Sequence, residues 1–126
     1  MQQLIFTEAW DRTISSQDRQ RLETLFQQTK DTAHHDLSFT IVHIAVNHHN
    51  HLLVTVLIHN TSNQTIDLTC ETIHLLSNKQ FLSKLSITDP RLRLPTNTSM
   101  PWTFIFTDVT QPAEIDSSSM EMVTQA

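Results

Sequence analysis

The sequence predicts a mainly β fold, an immunoglobulin-like antiparallel β-sandwich with one N-terminal amphipathic helix. Three observations predict it. Short apolar runs rich in β-branched residues recur from residue 38 onward, each closed by a polar turn. No helical period interrupts those runs, so there is no material for crossover helices and a parallel sheet. A single Pro-free stretch ahead of them sets Leu22, Leu25 and Phe26 on one face at i, i+3 and i+4.

Leu4, Ile5 and Phe6 make a short apolar start suited to an edge strand, and Trp10 follows. Ser15 or Ser16 can cap the helix, whose first turn holds Asp18 where a carboxylate suits the dipole. The helix is expected over about residues 16–30, and its apolar stripe is narrow, enough for one row of contacts. Phe39 to Val46 and Leu52 to Ile58 then read as two strands joined across Asn47-His48-His49-Asn50-His51. In the second strand Leu52, Val54, Val56 and Ile58 share one face while Leu53 and Leu57 take the other, the pattern of a central strand covered on both sides.

Ile66, Leu68 and Cys70 alternate, but Ile73 and Leu75 continue on the opposite parity, which predicts a bulge near Glu71 or Thr72. Phe81, Ser83, Leu85 and Ile87 form a further alternating run. Trp102, Phe104 and Phe106 close the series on one side of the last strand. The expected domain covers residues 1–109, with the sandwich over about 38–107. Residues 110–126, with Pro112, a Ser-Ser-Ser run and few apolar side chains, are expected to be a disordered tail.

Composition removes several function classes. With 8 basic residues against 13 acidic and a net charge of -5, the chain lacks the clustered cations that phosphate binding requires. Nucleic acid and anionic bilayers are therefore poor partners, and a protein partner is expected. Glycine is absent, which excludes Gly-rich phosphate loops and leaves positive-φ turns to Asn and Asp. No apolar window is long enough to span a membrane, and the N-terminus has neither the basic start nor the apolar stretch of a signal sequence. A cytoplasmic protein is expected, so the Asn-x-Ser/Thr triplets headed by Asn60, Asn63 and Asn97 would not be glycosylated. The single cysteine, Cys70, cannot form an internal disulfide and reads as a buried thiol.

The residues that could carry chemistry do not assemble into a catalytic set in the sequence. Glu8 and Asp11 flank Trp10 at helical spacing, which reads as solvated charge. Ser99 lacks the glycines of a nucleophile elbow, and no cofactor motif occurs, so a non-enzymatic protein is expected. His48, His49 and His51 are the alternative site: imidazoles in a loop can bind zinc or nickel, although no carboxylate occurs between Asp36 and Asp67 to fix them. His43, His59 and His74 read as exposed strand positions. For partner binding the candidates are Trp10, Pro101 and Trp102. Pro101 removes one ladder donor, as suits an edge strand, and Trp102 beside it can sit at a rim where a partner adds a strand. Phe104 and Phe106 read as core.

Three segments together resemble a known family: Leu4-Ile5-Phe6-Thr7-Glu8-Ala9-Trp10, the run from Leu52 to Thr61, and above all Thr98-Ser99-Met100-Pro101-Trp102-Thr103-Phe104-Ile105-Phe106. The chain resembles the SLAP domain of S-layer assembly proteins that accompany the accessory Sec system of Gram-positive bacteria, over about residues 4–107. The resemblance implies a cytoplasmic accessory factor in export or assembly of surface proteins, with accessory Sec components or a surface-layer protein as partner. It implies no catalytic residues. A homodimer is compatible with it.

Overall fold

The computed structural model describes residues 2–29, 36–109 and 119–124. In chain order the elements are β1 (Gln3–Leu4), α1 (Glu8–Thr13), α2 (Ser16–Thr29), β2 (Leu37–Val46), β3 (Leu52–Asn60), β4 (Ile66–Asp67), β5 (Thr72–Ser77), β6 (Gln80–Ser86), β7 (Arg93–Leu94), β8 (Thr98–Phe106) and β9 (Met120–Thr124). One sheet has the order β1-β8-β3-β2, a second β6-β5-β9, and a short pair joins β4 to β7. The fold is a mainly β sandwich with both helices on one outer face. All pairings are antiparallel except β1 on β8, which is parallel.

The two-sided pattern of the second run has the predicted consequence. β3 lies between β2 and β8 with a continuous ladder to β8 from Leu52↔Phe106 to Asn60↔Thr98. Its Leu52, Val54, Val56 and Ile58 enter the main core with Leu68, Ile73, Leu75, Leu94, Phe104 and Phe106. Leu57, from the other face, packs with Leu22 and Phe26 of α2, flanked by Leu4, Phe6, Trp10, Ile14, Leu25 and Val42. The sheet is thus covered on both sides, by the second sheet and by the helices. Val42 reaches the helix side by alternation with Ile41, and the β2–β3 register slip between Ile41 and His43 brings His43 to that side opposite Thr55 while Ile44 stays against the core.

Local chemistry fixes the helical layer. The Ser15 hydroxyl accepts from the Asp18 amide at 3.1 Å, capping α2 as expected. α1 was not legible at six residues, too short for a periodic signal. It is tied to α2 by Arg19, whose guanidinium donates to the Asp11 carboxylate at 2.6 Å and lies 4.5 Å from the Phe6 ring centroid. No helix among the described residues is long and apolar enough to cross a membrane.

Several expectations need correction. The region assigned to a disordered tail contains β9: Met120 and Met122 are buried, and the strand pairs with β5 from Ile73↔Thr124 to Ser77↔Met120. The rest of that region, residues 110–118 and 125–126, lies outside the described residues, as does residue 30 of the expected helix. Cys70 is exposed, because the break in parity is a turn with Cys70 at φ 74° in place of a bulge. His59 is buried, not exposed, since α2 covers its face of β3.

Positive φ occurs at Asn50, Asn78 and Asn97, as the missing glycine predicts, and also at Cys70 and Lys79.

Candidate functional site

The helical layer covers only part of its sheet face. α2 seals the end at Leu57 and His59, whereas further along β3 and β8 the sheet offers Thr55 and Thr103, whose hydroxyls are 2.8 Å apart. Between this polar pair and the helices is a cleft of about 690 Å³. Trp10 and Ile14 from the α1–α2 corner, Asp18 and Arg21 of α2, His43 of β2, and Arg91 with Trp102 on the opposite rim all line it. Two of the three sequence candidates, Trp10 and Trp102, which are 92 positions apart in the chain, therefore border one opening.

The rim is held in place. Arg91 donates from Nε and Nη2 to the two carboxylate oxygens of Asp89, at 3.0 and 2.6 Å, and its guanidinium carbon stands 5.0 Å from the Trp102 ring centroid. The hydrogen bonds from Arg91 hold the Asp89 carboxyl below its ordinary range, and the same contacts raise the Arg91 guanidinium. Trp102 is half-buried, one part packed on the main core and another open to the cleft. Amphipathic tryptophans in that position anchor partners well, because a large rigid surface is buried for little lost conformational entropy.

Pro101, the third candidate, does not line the cleft. It is buried opposite Leu57 in the β3–β8 ladder. Its place in the strand is nevertheless that of an edge, since β1 covers β8 only at Thr98 and Ser99. Arg91, Arg21 and His43 were not anticipated as neighbours. Asp89-Pro90-Arg91 was readable as an irregular stretch, but nothing in it showed that the guanidinium would turn toward Trp102.

A second constellation was missed altogether. His59 Nδ1 lies 2.6 Å from the Ser99 hydroxyl, and its Nε2 lies 3.2 Å from Thr40 Oγ1 and 3.3 Å from Thr29 Oγ1. Gln2 Nε2 donates to the same Ser99 oxygen at 3.0 Å. The Thr29 hydroxyl already donates to the Leu25 carbonyl, so it receives the Nε2 proton and the Ser99 hydroxyl donates to Nδ1. Burial pushes the His59 pKa down and favours this neutral ring. A serine beside an imidazole suggests nucleophilic catalysis, but Ser99 is 0% and His59 1% exposed, and neither lines the cleft. The arrangement satisfies polar groups where α2, β1, β2, β3 and β8 meet.

The histidine loop is exposed at His48 and His49 and half-buried at His51. Asn47 Oδ1 accepts from the His49 and His51 amides, both at 3.0 Å, and Asn50 takes φ 62°. The His48 and His49 ring centroids are 3.9 Å apart and those of His49 and His51 5.8 Å. Among the described residues, no group of three or more His, Cys, Asp or Glu side chains is placed to hold a metal ion.

No curated protein and no solved structure matches the chain. A family model does: the SLAP domain, over residues 4–126. That span takes in the Trp10 corner, the central strand, the Trp102 rim and the returning strand β9 alike. The match extends past residue 107, where the resemblance in the sequence ended, and the chain belongs to the SLAP domain family.

Proposed function

We propose that this SLAP domain is a non-enzymatic interaction module that binds a protein partner in the cleft between Trp10 and Trp102, as a cytoplasmic accessory factor in the export or assembly of surface-layer proteins. The observation that carries the binding site is the convergence of the two tryptophans on one opening. Family membership supports the protein-interaction role. The link to accessory Sec components and to the cytoplasm rests on the resemblance described for the sequence. A cleft that sets Trp10, Ile14, Leu22, Val42 and Trp102 among polar groups suits recognition of an export substrate that has not yet folded, because such a chain still offers its apolar side chains.

The test is co-isolation from native cells with the tagged full chain. Wild type is expected in the cytoplasmic fraction with an export ATPase or a surface-layer precursor, and folded Trp10→Ala and Trp102→Ala variants are expected to lose that partner. A protein found outside the cell, or variants that retain the same partner, would remove this reading.

A further inference from the structure

We infer that the open edge of β8, from Trp102 to Ile105, takes an added strand from an extended partner peptide with apolar side chains at alternate positions. The inference rests on the interaction-module reading and specifies how the partner is held. Its basis is the direction of the backbone groups. Gln3 N–H donates to the Asn97 carbonyl and Ile5 N–H to the Ser99 carbonyl, both at 2.9 Å. The carbonyls of Asn97 and Ser99 thus point toward β1 and away from β3. Backbone groups alternate sides along a strand, and the β3–β8 ladder continues to Phe106 without a slip. Pro101, Thr103 and Ile105 must therefore turn their backbone groups outward as well.

Among the described residues β1 is the only strand on that side, and it pairs only with Thr98 and Ser99 before the chain leaves toward α1. The outward carbonyl and N–H groups of Thr103 and Ile105 have no hydrogen-bond partner among the described residues. Pro101 is tolerated there because the donor it lacks would have pointed outward, not into the ladder. The edge already takes the parallel strand β1, so a peptide that continues from the end of β1 extends an existing pairing. A peptide on this edge places every second side chain on the face of Thr103, which lines the cleft with Trp10 and Ile14. On that lining Trp10, Ile14, Leu22 and Val42 supply the apolar surface that alternate apolar side chains of the peptide would cover.

A second copy of the chain fits less well. It would bring its own α1 corner against the same rim, and symmetric pairing would set each proline where the other copy needs a donor.

The test uses the full chain and random twelve-residue peptides displayed on phage. Selected peptides are expected to carry apolar residues at alternate positions and to slow amide exchange at Thr103 and Ile105 by about tenfold or more. Ile105→Pro removes an outward N–H without touching the β3 ladder, and it is expected to weaken binding by about tenfold. N-methylation of the peptide at alternate amides, in one phase only, should abolish binding to wild type. That series decides the matter should Ile105→Pro fail to fold. No enrichment, unchanged exchange at the two amides, selected peptides with helical apolar spacing, or indifference to the phase of methylation would each overturn strand addition. Those results are independent of the co-isolation test: its failure removes the export partner, whereas failure here removes the mode of binding.

Discussion

His59 of β3 and Ser99 of β8 face each other across the ladder with 2.6 Å between Nδ1 and Oγ, and the pair is sealed beneath α2. Their closeness gives the fold a pH dependence. Burial lowers the folded pKa of His59 below its value in the unfolded chain. At pH below the unfolded value, ~6.5, the unfolded chain binds the additional proton. This site therefore leaves stability unchanged above that pH. Stability falls as pH drops through ~6.5 and continues to fall until the folded pKa is reached. Urea midpoints between pH 8 and 5 should show this decline in wild type and a shallower one in His59→Gln. Equal slopes would contradict the assignment.

Ser99→Ala tests the same pair at neutral pH. It leaves Nδ1 buried without its donor, which should cost about 1–3 kcal/mol in denaturant unfolding.

Asn60 organises the next turn. It is 0% exposed, its Nδ2 donates to the carbonyls of Gln64, Leu94 and Pro95, and its Oδ1 accepts from the Ser62 amide and hydroxyl. Asn60→Asp keeps the shape but turns donors into acceptors against carbonyl oxygens. It should destabilise by more than about 3 kcal/mol, and more than Asn60→Ala, as read from urea unfolding. The reverse order would show that the side chain only fills space.

The hairpin between β5 and β6 turns on Asn78 and Lys79, at φ 52° and 64°. Positive φ at both central residues is the geometry that favours Asn-Gly. Lys79→Gly should stabilise by about 0.5–1 kcal/mol, since the strain removed exceeds the entropy added to the unfolded chain. A lower urea midpoint for the variant would contradict that turn geometry.

What the sequence made legible was what depends on periodicity. The two-faced run Leu52 to Ile58 implied a central strand with cover on both sides, and it has both. Phe104 and Phe106 read as core and are buried. What it hid depends on contacts between distant segments. His59 shares the parity of Leu57, but only the docking of α2 buries that face. β9 was illegible because its apolar residues are Met120, Met122 and Val123 in a polar surround, and its pairing partner lies more than 40 positions earlier. Cys70 misled because a left-handed turn can mimic the continuation of an alternating run. Of the cleft, the two tryptophans were readable as rim candidates. Arg91 and His43 were not, since their places follow from the ion pair with Asp89 and from the slip in β2.

Site-specific photo-cross-linking tests the binding cleft most directly. Benzoylphenylalanine at Thr13, inside the cleft, is compared in native cells with the same group at Lys84 on the far sheet. A defined protein adduct from position 13 that disappears with Trp102→Ala, and none from position 84, is the predicted result. Identical adducts from both positions, or none from position 13, would contradict the cleft as the binding site.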